Sequence, residues 1–346
     1  MPAPLRAAFL ACLLMAGLGA PAIADTAPGP NPAPHMPEPA TDATSVSGVV
    51  LPVPFLAIYG LGAVQNIWIG PTRHDLSLRG GYIWSTNTVY DPSSTAPKPL
   101  FTGDEFWQEA NFWHMYGAWG WHLNDRWTLY LDGYTSGGGI GKSPGYDQAL
   151  TRGVSASWGP LIDYNTLDDQ DFPTKGFLAE AGWAPGYHWG AENLAFQRGS
   201  LELRQYVPLG ENQTLGVRGI AMAGWPKLAW TDKFYAGGAK YLRGYQWSRF
   251  TGDRLVSATV EYRNLFAPDL LGLVGFPNLG LGLAWEVYAD AGRAWEATVG
   301  VPFLSDIRYG GGTGLMLTFN QVPVGRLELN ASAEGFYPVS GVGASF

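Results

Sequence analysis

Alternation of apolar and polar residues is the dominant pattern of this chain. Leu281, Leu283, Trp285, Val287, Ala289 and Ala291 fall on one face of an extended segment; Gly282, Ala284, Glu286, Tyr288 and Asp290 fall on the other. The same period sets Val256, Ala258, Val260 and Tyr262 against Ser257, Thr259, Glu261 and Arg263, and Leu327, Leu329, Ala331 and Ala333 against Arg326, Glu328, Asn330, Ser332 and Glu334. Trp127, Leu129 and Leu131 alternate with Thr128, Tyr130 and Asp132, and Leu201, Leu203 and Val207 with Glu202, Arg204 and Tyr206. A period of two marks β-strands whose faces meet different surroundings. No helical period is evident. Gly272, Gly275, Pro277 and Asn278 interrupt the most apolar stretch, Leu270–Trp285, so no transmembrane helix is predicted.

The pattern predicts strands near 75–88, 105–121, 127–137, 148–161, 175–188, 194–208, 213–226, 253–266, 280–291, 308–319, 324–334 and 337–346. A further segment, Leu56–Ile69, would make the number odd and put the N-terminus outside the cell. Bacterial single-chain membrane barrels have even strand numbers, which favours about twelve strands, with fourteen or sixteen as the other solutions.

Two architectures produce this alternation. A sandwich turns the apolar face inward, and a membrane barrel turns it outward to lipid. The strands are long enough for a tilted membrane crossing. Aromatics gather near strand ends, as in Phe106, Trp107, Phe112, Trp113, Tyr116, Trp119 and Trp121, which suits interfacial girdles. The N-terminus adds an export signal. Arg6 precedes an apolar run from Ala7 to Leu18, and Ala22-Ile23-Ala24 has the small residues of a cleavage site. Residues 1–24 are therefore expected to be a signal peptide, 25–47 a disordered Pro/Ala-rich linker, and 48–346 a transmembrane antiparallel β-barrel in a Gram-negative outer membrane. A secreted β-sandwich is the alternative.

Composition narrows the partners. The 16 Phe, 15 Trp and 17 Tyr exclude a disordered acidic chain, and the net charge of −8 leaves no basic patch for nucleic acid. The single cysteine, Cys12, lies in the presumptive signal and excludes a disulfide scaffold. Outer-membrane lipids are the expected surroundings.

One ordered set of motifs goes further. Lys233–Phe266 contains Tyr235, the pair Gly237-Gly238, Leu242-Arg243-Gly244-Tyr245, and a strand with Glu261-Tyr262-Arg263. Upstream stands Phe172-Pro173-Thr174-Lys175-Gly176, and downstream Tyr288-Ala289-Asp290-Ala291-Gly292. In order and spacing this set resembles the BamA/TamA superfamily, also called the bacterial surface antigen family. The resemblance implies an outer-membrane barrel engaged in protein insertion, secretion or lipid handling. Well-studied members carry periplasmic POTRA domains before the barrel, and some carry a patatin-like lipase instead. Here the linker leads into Gly48-Val-Val-Leu-Pro, so a short form is expected, with a periplasmic partner protein as a corollary.

The resemblance also implies a site. Members fold the loop bearing Arg-Gly-aromatic into the lumen, where its Arg meets acids of the inner wall. Alternation independently puts Asp290, Glu286 and Glu261 on the polar face. Arg243 would be the loop's buried cation, paired with Asp290, with Glu261 or Glu286 as further acids nearby. Gly244 would permit the tight tip, and Tyr245 would pack beside the ion pair. A solvated surface loop is the competing reading.

Enzymatic and metal readings are weaker. His35, His74, His114, His122 and His188 are scattered without metal-ligand spacing, and no G-x-S-x-G is present. Gly137–Ser143 lacks the strand–helix context of a phosphate loop. Asp163, Asp168, Asp169 and Asp171 lack the glycine of a calcium loop. No cofactor or metal is expected. A passive channel is the main alternative to an insertion barrel, and a lipase or other enzyme the third class.

Phe346 ends the last predicted strand, with Val342 and Ala344 on its face, and resembles the signal read by the outer-membrane assembly machinery. Removing Phe346 should slow barrel insertion, measured as the rate at which heat-modifiable protein appears in the outer-membrane fraction. An unchanged rate would remove that role, and recovery of the wild type as soluble periplasmic protein would remove the barrel.

Overall fold

The computed structural model describes residues 47–50, 59–68, 74–89, 106–140, 153–170, 172–190, 193–229, 232–238, 241–245, 249–272, 275, 280–296 and 306–341, with side chains from Met115 onward. The predicted signal, the linker up to residue 46 and Phe346 lie outside them.

Among these residues the chain is built of strands: β1 (Ser47–Val50), β2 (Tyr59–Trp68), β3 (His74–Val89), β4 (Phe106–His122), β5 (Trp127–Ile140), β6 (Gly153–Asn165), β7 (Gly176–Gly190), β8 (Leu194–Gly210), β9 (Gln213–Trp225), β10 (Phe234–Ala236), β11 (Phe250–Gly252), β12 (Arg254–Ala267), β13 (Leu281–Trp295), β14 (Arg308–Phe319), β15 (Val322–Ser332) and β16 (Gly335–Gly341). Fourteen form one sheet in which each pairs antiparallel with its neighbours in sequence, except that β9 pairs directly with β12. The two short strands β10 and β11 pair with each other within the β9–β12 connection.

Among the described residues the sheet thus has fourteen strands, the first of the even alternatives to the favoured twelve. The segment near Leu56–Ile69 is the full strand β2, and a second short strand, β1, lies before it and restores even parity. Four residues without a resolvable alternation are too few to register as a period. With fourteen strands, β1 starts and β16 ends on the side of the β4–β5 and β8–β9 turns.

Exposure along the strands separates the two architectures. Trp285, Val287, Val260, Leu201, Leu203, Leu327 and Leu329 are exposed, whereas Glu286, Glu261, Arg263, Asp290, Glu328 and Asn330 are buried. A water-soluble sandwich would reverse this, because burying charge in place of Leu and Val loses the hydrophobic drive and incurs desolvation. The arrangement is that of a barrel in lipid with a polar interior. Within the sheet, β2 to β9 and β12 to β15 are each paired on both edges, which keeps their backbone groups in the ladder as hydrocarbon surroundings demand.

Two apolar clusters interrupt the polar lining. Phe196, Ile220 and Leu255 of the wall pack with Leu228, Phe234 and Ala236 of the β9–β12 connection. At the other end Phe172, from the β6–β7 turn, packs with Leu265, Ala284 and Met316. Phe172 also lies 5.3 Å from the Arg263 guanidinium, so this turn reaches into the lumen rather than away from it.

Arg at an outward mid-strand position costs about 2–4 kcal/mol in a membrane barrel. Val287→Arg should therefore lower the unfolding free energy in phospholipid vesicles by about that amount. A neutral effect in urea titration would mean that Val287 does not face lipid.

Candidate functional site: a loop held inside the barrel

Residues 226–253 connect β9 to β12, and their described parts, 226–229, 232–238, 241–245 and 249–253, run inside the sheet. The connection begins with Gly224 N donating to Asp253 O (2.7 Å) and Leu228 N to Asp253 Oδ1 (3.2 Å), which tie its two ends together. Its tip is a tight reversal. Gly238 N donates to Tyr245 O at 2.9 Å, and Gly237, Gly238 and Gly244 have φ of 111°, 89° and 92°. These values are open to glycine at little cost. A Cβ on Gly244 would also lie 2.5 Å from Ala331 O, so the tip is pressed against β15.

This reversal presents Arg243 to the wall. Its Nε and Nη2 donate to Asp290 Oδ2 and Oδ1, each at 2.9 Å, and its backbone N donates to the same Oδ2 at 2.9 Å. Nη1 donates to Glu261 Oε2 at 2.9 Å. One guanidinium thus bridges two carboxylates on β12 and β13, a geometry its planar fork permits and an ammonium does not. Thr259 Oγ1 donates to Asp290 Oδ1 at 2.8 Å, and Arg263 Nε to Glu261 Oε1 at 2.5 Å, so both acids are supported from β12. Arg243 is 2% exposed and Glu261 fully buried.

One expected neighbour stands elsewhere. The ring against Arg243 is that of Tyr288, 3.2 Å from centroid to Cζ, while Tyr245 packs edge-on against Phe250 and donates to Tyr309 O at 3.2 Å. In an extended strand Tyr288 and Asp290 point the same way, so the acid and the ring arrive together; Tyr245, two residues past Arg243 across a positive-φ glycine, does not. Glu261 is thus the further acid bonded to Arg243, while Glu286 is fully buried nearby with neither of its oxygens hydrogen-bonded and sits against Gly314, the position between it and Glu328 in the ladder.

Further contacts were not evident in the sequence. Arg249 Nε donates to both oxygens of Glu334, at 2.9 and 3.0 Å, joining the loop to the β15–β16 turn. Asp232 accepts from Tyr134 OH (2.8 Å, β5) and Ser155 Oγ (2.7 Å, β6), with His188 Nδ1 (β7) 3.3 Å away. Serine, histidine and aspartate together invite comparison with a hydrolase triad, but the connectivity differs. Ser155 gives its proton to Asp232, His188 meets Ser155 through Nδ1 (2.7 Å), and the ring occupies the space a Cβ on Gly153 would need. The carboxylate, not the imidazole, accepts from the serine hydroxyl here, whereas a nucleophilic triad places histidine between serine and aspartate.

The acids of the β6–β7 turn are committed locally. Asp168 accepts from Thr174 Oγ1, Thr174 N and Lys175 N at 2.5, 2.9 and 3.1 Å; burial would raise its pKa, but these bonds hold it below the usual carboxylate value. Asp169 Oδ1 accepts from Phe172 N at 2.7 Å, Asp163 points inward on β6, and Asp171 lies outside the described residues. Among the described residues no group of three or more His, Cys, Asp or Glu gathers as metal ligands would.

Removing one partner of a buried, hydrogen-bonded ion pair leaves the other uncompensated and costs about 3–5 kcal/mol in a dry site. Arg243→Ala should lose that much in vesicle unfolding titrations, and Arg243→Lys should recover only part of it. An Arg243→Ala barrel as stable as the wild type would show that the contact contributes nothing.

Comparison with known proteins agrees with this architecture. The model of the Omp85 superfamily domain matches residues 73–335. None of the curated proteins compared with the chain matches it. Among solved structures it is similar to BamA from Haemophilus ducreyi lacking POTRA domains 1–3, with a TM-score of 0.55, 14% identity, and coverage of 82% of this chain and 62% of that one. It is also similar to CdiB from Acinetobacter baumannii, with a TM-score of 0.52, 12% identity, and coverage of 83% and 47%. The chain therefore spans less than two thirds of the length of either structure. At such identities the likeness is one of fold, and it is the family model, covering most of the barrel and every motif around Arg243, that identifies the chain as a member of the Omp85 superfamily.

Proposed function

We propose that this protein is an outer-membrane insertion or translocation barrel whose lumen is kept closed by the connection 226–253, with Arg243 as the anchor of that plug. The observation that carries the reading is the four-bond seat of Arg243 on Asp290 and Glu261. A porin needs an unobstructed polar lumen. Here the connection crosses the lumen and is buried against strands β8, β9, β12 and β13. Short turns on one side and longer connections on the other orient the barrel, with 226–253 entering from the cell exterior. The similar BamA and CdiB folds and the family membership support the general role in outer-membrane insertion or secretion. Outer-membrane lipids surround the apolar wall. The assembly machinery, acting on the C-terminal strand, and a periplasmic protein are the proposed partners.

The passive-channel alternative makes an opposite prediction. In a planar bilayer the wild type should be nearly silent, and Arg243→Ala should show frequent openings. Depletion in cells should change the protein or lipid content of the outer membrane. A large, steady wild-type conductance with unchanged membrane composition would favour the channel.

A further inference from the structure

The Arg243 seat lies on β12 and β13, and Arg249 reaches the β15–β16 turn. Neither explains how the first arm of the connection, residues 226–236, is held to the wall formed by β5, β6 and β7. We propose that Asp232 is a second, independent fastening of the loop: a positioning residue that latches the first arm to β5–β7 whether or not Arg243 is seated.

The argument begins with burial. The Asp232 side chain is fully buried, as are Ser155 and His188 to within 2%. A buried carboxylate persists only where donors replace water. Tyr134 OH supplies one to Oδ1 and Ser155 Oγ one to Oδ2. A hydroxyl carries a single proton. Since Ser155 gives its own to Asp232, the 2.7 Å contact with His188 makes Nδ1–H the donor and Ser155 Oγ the acceptor. The result is a relay from β7 through β6 to the loop, closed by a second bond from β5. Three strands converge on one loop atom group, with β8 and β9 separating them from the Arg243 seat.

The surroundings favour a clamp rather than a chance contact. Arg198 of β8 lies 5.0 Å from the Tyr134 ring and 4.7 Å from that of Phe234, so it stacks between wall and arm. Leu228, Phe234 and Ala236 bury the same arm against Phe196, Ile220 and Leu255. Independence comes from Gly237 and Gly238. Both have positive φ, a conformation glycine adopts at little cost, and they stand between the arm and the Arg243 tip.

This inference rests on the closed-barrel reading only for its effect on conductance; the fastening itself is tested separately. Full-length protein in vesicles would be treated with trypsin, which can cut at Lys227 and Lys233 in the arm and at Arg249 beyond the tip. Arg243→Ala should expose Arg249 while the two lysines stay protected, and Asp232→Ala should do the reverse. The double variant should open both, each cut at least about tenfold faster than in the wild type, because cleavage follows the open population. If Arg243→Ala alone exposes Lys227 and Lys233, or Asp232→Ala leaves them protected, the latch does not exist.

A rescue separates positioning from folding. Ser155→Cys with Asp232→Cys, in a chain whose Cys12 is replaced by Ser, puts a disulfide where the hydrogen bond stands. Oxidised, it should restore arm protection; reduced, it should lose it, with heat-modifiable mobility unchanged in both. Cysteines that join without restoring arm protection would overturn the proposal. Adding Arg243→Ala to the pair tests the effect on the lumen. Openings should be rarer in the oxidised than in the reduced form; protection that switches while openings stay equally frequent would keep the latch and remove its part in closing the lumen.

Discussion

A guanidinium seated between two carboxylates inside a lipid-facing sheet is the interaction on which this structure turns. The membrane sets the terms. With hydrocarbon outside, the apolar face of every strand must look outward, and whatever is charged must find partners inside. Arg243 meets that demand by giving Asp290 and Glu261 the donors that water would otherwise supply, and it draws a long connection into the lumen in doing so. Such a seat adds less stability than its bond lengths suggest, because both partners were solvated before folding. Its larger effect is to specify one position for a segment that could lie elsewhere.

From that position the rest of the interior follows. The tip presses on β15 through Gly244, so no larger residue fits between loop and wall. Arg263 and Thr259 brace the acids that hold Arg243, and the same Arg263 faces Phe172 from the β6–β7 turn. The seat, the opposite end of the lumen and the motifs flanking the loop are therefore one connected set of contacts.

Much of the fold was legible because a strand has a period of two. Alternation places β3 to β9 and β12 to β16 within a few residues, and it puts Asp290 and Glu261 on the inner face. Where a period has too few residues to express itself, as in β1, the strand was missed and the number fell short. The site divided in the same way. Arg243 and its acids were readable from motif and period together. The Asp232 cluster was not, because Tyr134, Ser155 and His188 come from three strands, and their convergence depends on register, which the sequence does not reveal. Tyr245 was assigned the place that Tyr288 holds, since adjacency in sequence is a poor guide across a positive-φ glycine. Glu286 shows a further limit: period gives the face of a residue but not its partner.

The central claim is that Arg243 and Asp290 act as one unit inside the barrel. A double-mutant cycle in phospholipid vesicles measures this directly, using Arg243→Ala, Asp290→Ala and the pair. The account predicts that the double variant is no less stable than the worse single one, a coupling of at least about 2 kcal/mol, because each single change strands a buried charge that the second removes. Losses that simply add would mean the two side chains do not share a site, and would contradict the account.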